Sequence, residues 1–456
     1  MAKSEIRNFT QGNITKQLIT FAWPLLLSNV LQVVYNMVDM IIVGNVIGKA
    51  GTSAVTIGGD ITNLLTFIGI GFASAGQVLI ARYIGAREQN KIGRFVGTMS
   101  SFLFVCAVVM SVIGIIFQKE LLLLMNTPTA AYDGALSYSL ICMSGLVFIY
   151  GYNIVSAILR GMGDSKHPLL FIGIAAGINI VLDVCFVIYL EMGAGGAALA
   201  TVISQAVSFL MCVAFLIKRR KEFDLNISFY DFTHWDIPML TAFVKLGTPM
   251  AIKFASVQVS KLFVNSWMNS YGLAVSAFSG IANKLASIVN LFSNAMNTAS
   301  STMVGQNIVA GEFDRVKAIM KNVLIITLII AFICSVFIVL FPEEIFSLFV
   351  TESENDADVL ALAKGYVPIA ILMFLASSLR ATMNGLINGS GNTVINFITA
   401  ILDGIVLRIG LSVLFGITLG MEYTGFWLGD ALAGFTPFWL GLIFFLSGKW
   451  KKNARV

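Results

Sequence analysis

Val323-Leu-Ile-Ile-Thr-Leu-Ile-Ile-Ala-Phe-Ile-Cys-Ser-Val-Phe-Ile-Val-Leu340 runs without a single charge. A helix needs about 20 mostly apolar residues to cross the hydrocarbon of a bilayer. This stretch lies in one of twelve such runs, at 18–43, 52–80, 94–117, 133–158, 168–190, 194–217, 239–268, 274–307, 320–341, 358–386, 394–418 and 424–448. A membrane barrel would show shorter strands with alternating polarity, and these runs are too long and too uniformly apolar for that. The sequence therefore predicts an all-α integral membrane protein with twelve transmembrane helices.

Composition agrees. Of 456 residues, 57% are apolar and 12% charged, against about 45–50% and about 25% in soluble globular proteins. Mean hydropathy is +0.86. So few charges cannot cover a water-facing exterior, which excludes a cytosolic enzyme, a disordered scaffold and a secreted disulfide protein. Cys106, Cys142, Cys185, Cys212 and Cys334 sit inside apolar runs, odd in number and without a CxxC pair. They read as small buried hydrophobes. His167 and His234 fall in expected polar loops, so no histidine-built metal site is expected. Residues 1–17 are polar and no short apolar region with an Ala-x-Ala site follows, so no cleaved signal peptide is expected.

Lys and Arg set orientation. The N-terminal segment (Lys3, Arg7, Lys16), the connections holding Arg82–Arg94, Arg160 and Lys166, Lys218–Lys221 and Arg315–Lys321, and the C-terminal Lys449–Arg455 together carry twenty. The opposite connections show only Lys49 and Lys119, and one of them is acidic (Glu343, Glu344, Glu352, Glu354, Asp356, Asp358). Both termini are expected in the cytoplasm. The net charge of +5 is then topological, and no nucleic-acid partner is expected.

Three separated motifs recur. Ile80-Ala-Arg-Tyr-Ile-Gly85-Ala-Arg answers Val304-Gly-Gln-Asn-Ile-Val-Ala-Gly311; Leu159-Arg-Gly161-Met-Gly163-Asp-Ser answers Ile387-Asn-Gly389-Ser-Gly391-Asn-Thr; Ala22-Trp-Pro24 answers Gly247-Thr-Pro249. The offsets are 224, 228 and 225 residues. The chain reads as a duplicated six-helix unit: an N-terminal lobe 1–217, a cytoplasmic linker 218–236 and a C-terminal lobe 237–456. Six is even, so both copies share one orientation, a transporter pattern with its site between repeats.

Enzyme motifs are missing. Gly44-Asn-Val-Ile-Gly48-Lys49-Ala is one residue short of a P-loop, lacks its Ser/Thr, and reads as a loop. Without a nucleotide site, transport is passive or driven by an ion gradient. Intramembrane polar residues are the candidates for that work. Gln32, Tyr35, Asn36 and Asp39 follow i, i+3, i+4, i+7 spacing on one helical face, and Asn179 and Asp183 share another. An ionised carboxylate away from water is costly, so the two aspartates bind a proton or a monovalent cation, or each hydrogen-bonds a neighbouring helix. In the second half Asn283, Ser287, Asn290, Asn294, Asn297 and Ser301 form a polar stripe. It either joins helices or lines a water-filled cavity. Lys253, Lys261, Asn265, Lys284, Arg380, Asp403 and Arg408 lie in or near the same spans, with Lys261 and Asp403 a candidate buried pair. Asp60 and Asp430 read as span-end charges.

These residues resemble the multidrug and toxic compound extrusion (MATE) transporters of the wider flippase superfamily, over about 12–450. The carrying motifs are Leu159–Pro168, Val304–Asn307 with Ala310-Gly311, Ala277–Lys284 and Gly195–Thr201. The chain is most similar to the DinF-like branch. That resemblance implies an essential first-helix aspartate at Asp39 and a helix bend at Pro24. It also implies a coupling-cation cluster of Asn179, Asp183, Thr201 and the main chain near Ala197, with Gln32, Tyr35, Asn36, Tyr138 and Asn153 around it. The NorM-like branch places acidic groups in spans seven and ten; here stand Lys253, Lys261 and Arg380. Lys261, Asn265, Asn290 and Asn294 are candidate cavity residues.

The function so implied is alternating-access antiport: small amphipathic, often cationic, organic compounds leave in exchange for H⁺ or Na⁺. No cofactor is expected, nor a metal beyond a possible Na⁺. The expected setting is a monomer in the lipid of a bacterial inner membrane. The alternative reading is a flippase for lipid or lipid-linked oligosaccharide, which would want basic cavity residues.

Overall fold

The computed structural model describes residues 6–125, 127–223, 225–347 and 356–453. Of the residues discussed above, Lys3, Glu352, Glu354 and Arg455 lie outside that set. All regular elements among the described residues are helices. The chain clusters into two compact units, Trp23–Ala251 with the stretch ending at Asn8, and Phe9–Ala22 with Ile252–Val456.

The first unit is built from α1 (Ile14–Ile47) beyond Ala22, α2 (Lys49–Gly85), α3 (Ile92–Ile116), α4 (Gln118–Leu124), α5 (Thr129–Ser144), α6 (Leu146–Gly161), α7 (Lys166–Asp183), α8 (Gly193–Lys218), α9 (Phe229–Thr233) and the start of α10 (Ile237–Asn269). The second takes the rest of α10, α11 (Leu273–Val309), α12 (Phe313–Leu340), α13 (Pro342–Ser347), α14 (Asp356–Gly389), α15 (Thr393–Ile401), α16 (Leu407–Val413), α17 (Glu422–Ala433) and α18 (Thr436–Leu446). The divisions fall at Ala22/Trp23 inside α1 and Ala251/Ile252 inside α10, beside Pro24 and Pro249. Proline removes one ladder hydrogen bond, so both helices are weakened where they pass from one unit to the other.

Every expected span falls on helix. Among the described residues ten helices are long and apolar enough to cross a membrane, eleven when the bent pair α5–α6 counts as one span. The remaining expected span is α10, 33 residues long but carrying Lys245, Lys253 and Lys261. The helix quoted at the outset, α12, has a hydropathy of 3.3 over its best window with only 22% of it buried. Phe332, Val339 and Leu340 stand exposed along it, as a lipid-facing surface requires. The chain is a multi-pass membrane protein.

Three details differ from the sequence reading. Residues 133–158 form two helices bent by 50° at the Ser144-Gly145 pair, where α8 comes so close that a Cβ on Gly145 would meet Val202 Cγ1 at 2.4 Å. Residues 44–49 hold no loop: Gly48 alone separates α1 from α2, at φ 75° and ψ −158°. A side chain is strained there. Residues 184–189 and 414–418 wind as π-helix, and so do 402–406.

Left-handed backbone positions mark the duplication independently of side chains. Gly48 pairs with Gly272 and Arg87 with Gly311, each 224 residues apart; Gly163 pairs with Gly391, 228 apart, and Gly193 with Gly420, 227 apart. Each unit also holds a polar strap. In the second, Phe9 N–H donates to Gln306 Oε1 at 2.8 Å, while Asn307 Nδ2 and Arg315 Nη2 donate to Phe9 O at 3.2 and 2.9 Å. In the first, residues 226–236 lie on α3, where Trp235 Nε1 donates to Ser101 Oγ at 2.8 Å and Arg94 pairs with Asp236 at 3.0 Å. Ser228 caps α9 with a reciprocal bond from its own N–H to Asp231.

Candidate ion and cavity sites

Asp39 and Asp183 come from helices far apart in sequence, and the first unit brings them face to face. Their carboxyl groups lie within hydrogen-bonding reach of one another. Exposure is 5% at Asp39, 0% at Asp183 and 1% at Asn179. Neither aspartate makes an ion pair among the described residues. Asp39 Oδ1, both Asp183 oxygens, both Asn179 side-chain atoms and Thr201 Oγ1 have no hydrogen-bond partner in the protein. Two ionised carboxylates so placed repel, and a proton or a cation between them would relieve that repulsion.

Local structure explains the placement. Asn179 and Asp183 are one turn apart on α7, and Asp183 is its last residue before the π-helical turn Val184–Tyr189. Such widened turns re-aim neighbouring side chains and recur at functional positions. The start of α8 packs on that turn, where Gly196 leaves only 3.1 Å between a would-be Cβ and the Phe186 main chain. Ala197 is buried there, one turn before Thr201. The two carboxylates and the Asn179 amide thus supply buried oxygens of the kind that hold H⁺ or Na⁺, and Thr201 Oγ1, on α8, is likewise buried without a partner.

The surrounding residues divide. Tyr35 lies half-buried one turn before Asp39 on the same face of α1. Tyr138 is buried against Gly58. Gln32 is half-buried and Asn36 exposed. Asn153 Nδ2 donates to Ile149 O at 2.8 Å, a bond within its own helix. Pro24 lies in α1, its carbonyl accepting from Ser28 Oγ at 2.8 Å.

The second unit places its polar residues differently. Asn283 Nδ2 donates to Asn265 Oδ1 at 3.1 Å, Arg380 Nη2 to Asn290 Oδ1 at 2.7 Å, and Asn388 Nδ2 to Asn297 Oδ1 at 3.3 Å. Every seventh residue of the α11 stripe therefore bonds another helix, while Asn294 and Ser287 are exposed. Asn265 lines one and Asn290 the other of two small adjoining recesses, both bordered by Lys261. Joining helices and lining a cavity are thus combined in one stripe. Asp403 pairs with Arg408 at 3.1 Å rather than with Lys261. Arg408 also holds Asp430, which stands inside this cluster and not as an isolated span-end charge. Sequence reasoning missed that triad because its members are 5 and 22 residues from Arg408 and share no motif.

The sequence matches the MatE family profile over residues 24–185 and 249–414. It is 29% identical to the probable multidrug resistance protein YoeA of Bacillus subtilis, covering 97% of this chain and 96% of that one. Its fold superimposes on a MOP-superfamily transporter from Pyrococcus furiosus, described as having a binding pocket of reverse polarity, with a TM-score of 0.89 at 21% identity over 98% of this chain and 100% of that one. It also superimposes on a MATE structure in a bent conformation, with a TM-score of 0.88 at 21% identity over 99% of each chain. A profile match spanning both sequence repeats, on an all-helical membrane fold of this kind, makes the chain a member of the MATE family of transporters, and not an enzyme.

Proposed function

We propose that the chain is a secondary active multidrug exporter of the DinF-like branch, moving small amphipathic organic compounds outward in exchange for H⁺ or Na⁺. The observation that carries this reading is the buried Asp39–Asp183 pair, with Asn179 unpaired one turn from Asp183. An ion entering from outside neutralises the pair; with the charge gone, α1 repacks about Pro24 and access passes to the other side. The ion then leaves to the cytoplasm and the carboxylates are again free to load. Coupling needs only that the ion bind the two states with different affinity. The multidrug-resistance naming of the YoeA relative supports the substrate range. The Lys and Arg distribution supports cytoplasmic termini in a bacterial inner membrane, and the working unit is a monomer. Proteoliposome flux under an imposed ΔpH or ΔNa⁺ tests it. One of the two gradients drives ethidium efflux in this account; flux indifferent to both sinks it.

A further inference from the structure

The second unit carries more positive charge in its spans than its own carboxylates balance. Lys253, Lys261, Arg380 and Arg408 stand against Asp403 and Asp430, with Lys284 exposed on α11. Arg408, 2% exposed, engages both acids: Nη2 donates to Asp403 Oδ1 at 3.1 Å and Nη1 to Asp430 Oδ1. Lys253 Nζ donates to the neutral Asn384 Oδ1 at 2.5 Å. Arg380 has only the neutral Asn290 oxygen, and Lys261 has no hydrogen bond or ion pair among the described residues. Asp430 and Asp403 act on both only at longer range, and a cation held away from water with no direct ionic partner is costly and marks a functional position.

Both cations border the recesses, Lys261 both of them and Arg380 the second, which adjoin through Lys261, Met373 and the Arg408-bound Asp430. We infer that this cavity holds the anionic end, a carboxylate or phosphate, of an amphipathic organic compound. Arg380 is pre-aimed: Asn290 Oδ1 accepts from its Nη2 and from Ser377 Oγ at 2.9 Å, leaving the rest of the guanidinium for a bidentate contact. The Asn290 amide group is left to donate beside it, and Lys261 adds a point charge. Arg408 is kept from the anion by its own two acids, and Asp430 is masked by Arg408 in turn. Tyr366, Met373 and Trp427 line the further recess, where aromatic and thioether groups take an apolar body of variable shape.

This deepens the export reading by naming a substrate class, and it rests on that reading only for the direction of movement. Equilibrium binding to the full chain in phosphatidylcholine nanodiscs, with no gradient, tests it. The anion probe is N-dansyl-leucine and the cation probe ethidium. Lys261→Gln and Arg380→Gln should each raise the Kd for dansyl-leucine about tenfold, the scale of one lost charge-assisted contact. Ethidium binding should move less than about twofold, and Lys261→Arg should restore most of the anion affinity. Competition by added phosphatidylglycerol would identify a lipid headgroup as the source of the anion; absence of competition would identify the exported compound. The assay is run at equilibrium with no gradient and needs no ion movement, so a failure of ion coupling and a failure of this cavity read differently. The inference is overturned if wild type binds dansyl-leucine no better than empty discs, if both Gln variants bind it like wild type, or if they lose both probes alike.

Discussion

The two units share one backbone plan and hold opposite charge. In the first, Asp39 and Asp183 are near neighbours; in the second, Arg408 sits between two acids, and Lys261 and Arg380 make no direct ion pair among the described residues. Offsets of 224–225 carry Asp39 to Phe263 or Val264, and offsets of 227–228 carry Asp183 to Gly410 or Leu411. Neither acid has a counterpart. The left-handed backbone positions, by contrast, are kept at matching offsets. Duplication therefore supplies the scaffold, and substitution at a few intramembrane positions supplies the chemistry. On the proposed reading, a unit that loads a cation and a unit that holds an anion give the exchange cycle two distinct handles.

The strongest way to break this contrast is to unbalance the second unit. Arg408→Met leaves Asp403 and the partly exposed Asp430 without their cation, at a cost of about 3–5 kcal/mol. Thermal unfolding in detergent should drop sharply, and Arg408→Met with Asp403→Asn should recover part of the loss. A wild-type melting curve for the single variant would show that the triad is not a structural clamp. The shared scaffold is tested next. Gly48→Ala and Gly272→Ala each force a side chain into left-handed backbone, at about 1–3 kcal/mol. The same melting assay should give equal losses within about 0.5 kcal/mol, whereas a loss at one site alone would break the equivalence of the copies. The smallest expected effect sharpens the first unit. Asn179→Ala removes a neutral ligand and keeps both carboxylates, so the ion concentration giving half-maximal flux should rise about three- to tenfold. An unchanged half-maximum would remove Asn179 from the ion site.

Much of this was legible in the sequence for identifiable reasons. Span length and apolarity follow from bilayer thickness, so runs such as 320–341 emerge as helices directly. Asp39 and Asp183 stood out because a charge in an apolar run is rare. What the sequence hid depends on partners from distant helices. The bend at Gly145 falls at a Ser144-Gly145 pair that was available as a kink signal, while its close packing against Val202 of α8 was not visible. Pairing of Asp403 with Lys261 or with Arg408 cannot be read from spacing, since either helix face is compatible until the π-helical turn at 402–406 is known. The strap on Gln306 and Asn307 was similarly invisible: the motif reads as a repeat marker, and only the fold shows Phe9 bound to it.

The central claim is that the Asp39–Asp183 pair couples ion entry to export. Asp39→Asn in proteoliposomes tests it most directly, with ethidium followed both as gradient-driven net efflux and as exchange at equal concentration on the two sides. The account predicts that net efflux falls by at least about tenfold while exchange persists and the protein elutes and melts like wild type. Gradient-driven efflux at the wild-type rate in Asp39→Asn would contradict it.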